Sequence, residues 1–222
     1  MSLSNQTNFW VVAAPGLRSS LVYSDVSLEQ EETTLDMTIF DCDGERSNQA
    51  QIEFSTKRQC LFELDPLLGT LKRQAGFVHG LVSLRGAAEL SRVLVRYQSP
   101  QSSSLSSLSN LLSRPRPQSI PINAGERRRV LLVIANTEES EISVRGRLLV
   151  GKRSPECVWA LSARASRIID LTSTFSAIIS EEQSSMFGRG YLRLSTTADH
   201  GVVTHLLLVN QSEDGTETMQ FY

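Results

Sequence analysis

Short apolar runs rich in Val, Leu, Ile and Phe recur along the whole chain, separated by polar turn clusters at 41–44, 136–139 and 212–215. No helix-length segment with a 3.6-residue apolar period intervenes between these runs. Strands spaced in this way are typical of antiparallel sheets that pack in pairs. The sequence therefore predicts an all-β fold with little helix, made of antiparallel β-sandwiches of the jelly-roll or immunoglobulin-like kind.

One segment, 99–118, differs sharply in composition from the rest of the chain. Eight of its twenty residues are Ser, three are Pro and none is acidic, which is typical of a linker. It predicts two tandem sandwich domains at 1–98 and 119–222. Leucines spaced by three or four residues within the segment predict a short amphipathic helix that docks on a domain. This candidate interface stripe consists of Leu105, Leu108, Leu111 and Leu112.

The two halves also repeat one pattern of apolar runs and polar turns, which predicts an internal duplication. The matching segments are 21–39 with 131–148, 60–69 with 166–175, and 80–98 with 190–211. Asp65 and Asp170 occupy equivalent places after an apolar run in the second pair of segments. Their recurrence predicts a shared structural role, such as accepting backbone N–H bonds at a turn.

Length, net charge and cysteine content limit the kinds of protein that this chain can be. The 222 residues, of which 40% are hydrophobic, can fill one large core or two smaller ones. A net charge of −2 disfavours a generic nucleic-acid binder. Scattered cysteines (Cys42, Cys60 and Cys157) favour a reducing compartment. With no long apolar segment, we expect a soluble cytoplasmic protein without membrane insertion, unless the natural N-terminus lies further upstream.

Positive charge is concentrated locally near the start of the second half. The arginines concerned are Arg114, Arg116, Arg127, Arg128 and Arg129. Because Arg forms bidentate bonds with phosphate and carboxylate groups, this cluster is a candidate contact for a polyanion or an acidic partner. The alternative is that these arginines lie on an edge strand, where their charges prevent aggregation.

No set of residues in the sequence has the spacing of a catalytic or metal site. His200 and His205 could hold a metal only if a turn brought them together, and two ordinary histidines are the alternative. The run 41–45 begins like a calcium loop but lacks the rest of it, which favours a hairpin turn. We therefore expect no catalytic residue, no metal and no cofactor.

The second half resembles two kinds of bacterial β-sandwich protein. The resemblance is carried by the runs VLLVIANTEESEISVRGRLLV, RIIDL and GRGYLRLSTTADHGVVTHLLLVN. One is the sensory rhodopsin transducer family, and the other is the tandem sandwich repeats of bacterial surface proteins. The first resemblance implies a small cytoplasmic sandwich that oligomerises, contacts a signalling partner such as a membrane photoreceptor, and associates with DNA. A tandem duplication departs from that family's pattern.

Three functions remain open from the sequence. The first is a non-enzymatic binding or assembly module that contacts a protein partner or a second copy of itself. The second is a sandwich that binds a carbohydrate or another small molecule. The third is a metal-dependent jelly-roll enzyme that uses His200 and His205.

Overall fold

A computed structural model shows the fold. It describes residues 6–14, 16–23, 32–55, 60–74, 76–86, 90, 93–100, 103–106, 111–112, 117–123, 128–150, 154–176, 189–199, 201–213 and 217–221. These residues are organised in antiparallel sheets, which confirms the all-β prediction. The chain divides into two compact units. Unit 1 consists of 1–110 together with 164–166, and unit 2 consists of 111–163 and 167–222.

Unit 1 contains two sheets. Its strands are β1 (Gln6–Ala13), β2 (Arg18–Tyr23), β3 (Glu32–Phe40), β4 (Arg46–Ser55), β5 (Cys60–Glu63), β6 (Arg73–Gln74), β7 (Phe77–Arg85), β8 (Val93–Gln98) and β9 (Ser103–Ser106). A one-turn helix, α1 (Asp65–Leu68), follows β5. One sheet has the order β1-β7-β3-β4, with β6 also paired to β7, and the other has the order β5-β2-β8-β9.

Unit 2 is likewise made of two sheets. Its strands are β10 (Leu111–Leu112), β11 (Gln118–Asn123), β12 (Arg128–Asn136), β13 (Ile142–Leu149), β14 (Glu156–Leu161), β15 (Ser166–Asp170), β16 (Arg189–Thr196), β17 (Val202–Gln211) and β18 (Glu217–Phe221). The helix α2 (Leu171–Thr174) follows β15, whose first residue, Ser166, belongs to unit 1. The sheet orders are β10-β17-β12-β15, with β18 also paired to β17, and β11-β16-β13-β14.

The two units repeat one strand order. The order β1-β7-β3-β4 in unit 1 corresponds to β11-β16-β13-β14 in unit 2. The order β5-β2-β8 corresponds to β15-β12-β17, and a one-turn helix follows β5 and β15 alike.

The core of unit 2 draws on both of its sheets. β12 is buried from Val130 to Asn136, whereas β13 alternates between buried and more exposed positions. One cluster of buried side chains contains Leu132 and Ile134 from β12 together with Val144 and Leu148 from β13. Strand β13 therefore has one face against the core and one face in solvent.

The predicted helix within 99–118 is wrong for the part of that segment that the structure describes. Residues 103–106 form β9 on the free side of β8, and residues 111–112 form β10 beside β17. Because an edge strand has unpaired backbone groups, even a Ser-rich segment is stabilised by pairing with it. The spacing of the leucines in this segment is therefore not the sign of a helix.

The two recurring aspartates lie at the start of the one-turn helices: Asp65 is the first residue of α1, and Asp170 directly precedes α2. The Asp170 carboxylate accepts a bond from the Ser173 backbone N–H at 3.1 Å, as predicted. Asp65 instead forms an ion pair with Arg18, with 3.4 Å between Nε and Oδ2. Asp170 has the equivalent ion pair with Arg129, at 3.2 Å. Each aspartate therefore joins the helix of its unit to the first residues of a central strand.

Candidate functional site

The described arginines of the predicted basic cluster are engaged by neighbours in their own unit. The Arg128 Nε–H donates to Asn210 Oδ1 at 2.8 Å. Besides its ion pair with Asp170, Arg129 lies 3.8 Å from a carboxylate oxygen of Glu217. Arg114, Arg116 and Arg127 lie outside the described residues. The described part of the cluster thus connects β12 with β15, β17 and β18.

The predicted leucine stripe is not a single element where the structure describes it. Leu105 lies on β9 with 58% of its surface exposed. Leu111 and Leu112 form β10 in a different sheet, and Leu108 lies outside the described residues. The exposed part of the stripe that the structure describes is therefore Leu105.

The acidic run 41–45 forms the turn between β3 and β4, so its prediction as a hairpin is confirmed. Gly44 has a φ of +87°, and the Asp41 carboxylate accepts bonds from the backbone N–H groups of Asp43 and Glu45. The Lys72 ammonium lies 2.8 Å from Asp43, 3.2 Å from Glu45 and 3.5 Å from Asp41. A lysine side chain thus stands where a cation bound to these carboxylates would be.

A buried polar cluster surrounds His79 in unit 1. The Trp10 indole N–H lies 3.3 Å from His79 Nδ1, and Ser166 Oγ lies 2.9 Å from the same nitrogen. Because an indole N–H can only donate, Nδ1 must be an acceptor. The proton of the neutral ring is then on Nε2, which donates to Gln74 Oε1 at 3.1 Å. The Tyr97 hydroxyl donates to the Trp10 carbonyl at 2.6 Å.

The Ser166–His79 pair has the separation of a nucleophile and its general base, but it is closed to substrate. His79 has no exposed surface and Ser166 is 2% exposed. Burial lowers the pKa of His79 to about 4, against the opposing influence of the Asp41 carboxylate. The ring is therefore neutral at physiological pH and its bonds serve to order the core of unit 1. Sequence reasoning missed this cluster because His79 and Ser166 are 87 positions apart.

The predicted pairing of His200 with His205 is not described, because His200 lies outside the described residues. His205 is buried within β17, and burial lowers its pKa to about 4. Within the described ranges, no group of three or more His, Cys, Asp or Glu side chains is placed to hold a metal ion.

The outer face of the sheet β11-β16-β13-β14 presents an exposed group of arginines and apolar side chains. Strand alternation directs Arg145, Arg147 and Leu149 of β13 to the face opposite the core, and it does the same for Tyr191 and Arg193 of β16. All five are exposed, with Tyr191 at 58% and Leu149 at 40%. We call these five residues, with Val158 of β14, the arginine face.

Strand register brings the members of the arginine face together. Arg147 is the Cα partner of Arg193, and Leu149 is the partner of Tyr191. On the other side of β13, Arg145 is the partner of Val158. Charged and apolar side chains therefore form adjacent rows across three strands.

The charge of this face is only partly balanced. Glu156 lies 3.3 Å from Arg145 Nε and 3.7 Å from Arg147 Nε. Arg193 makes no ion pair or hydrogen bond with any residue that the structure describes. Like charges directly opposite each other on neighbouring strands destabilise a sheet. The arrangement of Arg147 and Arg193 is thus unfavourable for folding.

Gly146, between Arg145 and Arg147, allows β13 to pack against the core while the two arginines face solvent. A Cβ added to Gly146 would lie 2.5 Å from the ring of Trp159. Trp159 packs against the core cluster of unit 2. The glycine therefore leaves room for a large ring on the core side, while its two neighbours direct arginines into solvent.

The corresponding face in unit 1 is different in chemistry. On β1-β7-β3-β4, the Arg85 guanidinium donates to Gln6 Oε1 at 3.1 Å, and Gln6 donates to Ser83 Oγ at 2.9 Å. Gln51 donates to Asp36 at 3.2 Å. These groups satisfy one another, although Arg46 and Arg73, exposed arginines on other strands of this sheet, have no partner among the described residues.

Comparison with known proteins gives no family assignment: no protein-family model matches the chain, and no curated protein matches it. Among the helices that the structure describes, none is long and apolar enough to cross a membrane.

Proposed function

We propose that this protein is a non-enzymatic binding or assembly module whose arginine face contacts a protein partner. The observation that carries the proposal is the exposed, unpaired Arg193 directly opposite Arg147 and beside Tyr191 and Leu149. Arg and Tyr are enriched in the centres of protein interfaces, where they combine apolar contact with directional hydrogen bonds. An exposed group that contains both residue types is therefore better suited to contact with a protein partner than to exposure to solvent.

The architecture that we propose for this module is a tandem pair of similar β-sandwiches that arose by internal duplication. The repeated strand order and the buried cluster shared by both sheets of unit 2 support it. A relationship to the sensory rhodopsin transducer family belongs to the same proposal. A duplicated scaffold allows the corresponding sheet faces of the two units to acquire different chemistry.

The burial of the Ser166–His79 pair also favours a binding role over catalysis. Ser166 and His79 are within hydrogen-bonding distance, but neither has the exposure that a substrate requires. The hydrogen bonds of this buried cluster order the core of unit 1, and this structural role is enough to explain the pair. Function is therefore assigned to the surface of unit 2.

Affinity capture with three versions of the purified chain tests the proposal. The baits are the unmodified protein, the variant Arg147→Gln/Arg193→Glu, and the variant Arg167→Glu. Arg167 is an exposed arginine of β15, in the other sheet of unit 2, and is the matched charge control. We expect a protein that the unmodified and control baits recover saturably and that the double variant loses. Recovery of the same proteins by all three baits would contradict the proposal.

A further inference from the structure

We infer that the partner segment bound by the arginine face is acidic and extended, with carboxylates at alternate positions followed by an apolar residue. This inference rests on the proposed function and specifies the chemistry of the partner. Three properties of the face lead to it: its charge, the spacing of its rows and its size.

Charge determines the sign of the partner. Arg145, Arg147 and Arg193 face solvent together, and Glu156 is the acidic side chain that lies between two of them. Guanidinium groups bind carboxylates through paired, charge-assisted hydrogen bonds. The face therefore has capacity for additional carboxylates, most directly at Arg193. Two copies joined about a twofold axis through this face would oppose arginines to arginines, so charge disfavours that occupant.

Spacing determines the conformation of the partner. Residues two apart on a strand are separated by about 6.8 Å. This is the separation along β13 from Arg145 to Arg147 and again from Arg147 to Leu149. An extended peptide has the same repeat between side chains on one of its faces. A segment lying along β13 can thus present two carboxylates to the arginines and an apolar side chain to Leu149 and Tyr191, which are neighbours across β13 and β16.

Size determines how large the bound element is. Three strands about 4.8 Å apart, and the four steps along β13 from Arg145 to Leu149, give a face of about 10 Å by 14 Å, or roughly 140 Å². A stable interface between globular proteins buries about 800 Å² on each partner. The arginine face by itself therefore matches a short peptide segment rather than the surface of a second globular domain.

Fluorescence anisotropy with the full chain and labelled peptides tests the inference. The probe is the fluorescein-labelled peptide Glu-Thr-Glu-Thr-Phe-Thr. Its controls are Glu-Glu-Thr-Phe-Thr-Thr, which has the same composition but adjacent glutamates, the version with Gln for Glu, and a labelled oligothymidylate. We expect the alternating peptide to bind about tenfold more tightly than either peptide control, and more weakly as salt is added. The variant Arg193→Glu should lose about tenfold in affinity for this peptide, whereas Arg167→Glu should not.

Several outcomes overturn the inference. Among them are equal affinity for the alternating and adjacent glutamate peptides, equal or tighter binding of the oligothymidylate, equal losses in both variants, and no binding at millimolar peptide. Arg193 has no partner among the described residues, so its variant is expected to fold, and circular dichroism checks that it does. If the double variant Arg147→Gln/Arg193→Glu loses affinity capture while the peptide fails to bind, the acidic extended partner is wrong and the binding function stands. If the double variant also retains capture, the proposed function fails as well.

Discussion

Arg147 on β13 and Arg193 on β16 are direct cross-strand partners, and both side chains lie on the solvent face of their sheet. Folding alone does not favour this pair, because like charges at such positions repel each other. Each guanidinium also lies next to an exposed apolar side chain in the adjoining row, formed by Leu149 and Tyr191. The Arg147–Arg193 pair is therefore an unfavourable local arrangement on an exposed surface, and the acidic partner that we propose would relieve its repulsion.

Reversing the charge of Arg193 should stabilise the free protein. The substitution Arg193→Glu places opposite charges across β13 and β16, which we expect to raise the free energy of unfolding by about 0.2–1 kcal/mol. The variant Arg193→Thr removes the repulsion without adding attraction and should give a smaller gain. Urea unfolding at low ionic strength measures both, and a fall in stability for both variants would show that Arg193 supports the fold.

The stability of unit 1 should depend on the protonation of His79. Burial keeps the pKa of this ring at about 4, while the unfolded chain has the ordinary value of about 6.5. Between these values the unfolded state binds the proton and the folded state does not, so stability falls as pH decreases from about 6.5 to about 4. The contribution of His79 is on the order of 3 kcal/mol, and the buried His205 acts in the same direction.

Urea unfolding at pH 7 and at pH 4.5 measures this dependence. In the variant His79→Gln the side chain cannot titrate, so we expect a smaller difference in stability between the two pH values, even though the variant is less stable at pH 7. An unchanged difference would mean that His79 is not the group responsible.

Much of the fold follows from local sequence pattern, but strand pairing does not. Alternating apolar residues and turn clusters are sufficient for the all-β class. The strand β9 was missed because its Ser-rich sequence has no strand pattern, and it forms on the open edge of β8. Pairing with an existing edge, rather than local preference, determines its conformation.

The arginine face was missed for a related reason. Arg145 and Arg147 alternate in sequence, and that signal for a shared face was available. Arg193 comes 46 positions after Arg147, and only the register of β13 with β16 places them opposite each other. The arginines at 127–129 are adjacent in the sequence and so form a more obvious cluster, but neighbours on a strand point to opposite faces, and Arg128 and Arg129 bind different groups.

The Lys72 ammonium should stabilise the turn between β3 and β4. Its contacts with Asp43 and Glu45 raise its pKa above the ordinary value for lysine. Because the charged form is favoured in the folded state, this stabilisation is present at neutral pH and is lost as pH rises through the lysine pKa. The variant Lys72→Met should lower the melting temperature slightly at pH 7, and less so at high salt. The exposed Arg73→Met is its control, and equal effects of the two substitutions would argue against the ion cluster.

Gly146 should not tolerate a side chain. A methyl group there would lie 2.5 Å from the Trp159 ring, so the ring or the strand must move. We expect Gly146→Ala to reduce the free energy of unfolding by about 1–3 kcal/mol and to change the fluorescence of Trp159. At Gly69 the nearest atoms to an added Cβ are 4.0 Å away, so Gly69→Ala is the matched control. Equal stability of the two variants would contradict this packing.

The most direct test of the arginine face is to measure stability and binding on the same preparation of Arg193→Glu. The binding measurement uses anisotropy with the alternating glutamate peptide, and the stability measurement uses urea unfolding in the same buffer. We predict opposite changes, with a higher free energy of unfolding and about tenfold weaker binding than the unmodified protein. A variant that is more stable and binds the peptide equally well would contradict the assignment of function to this face.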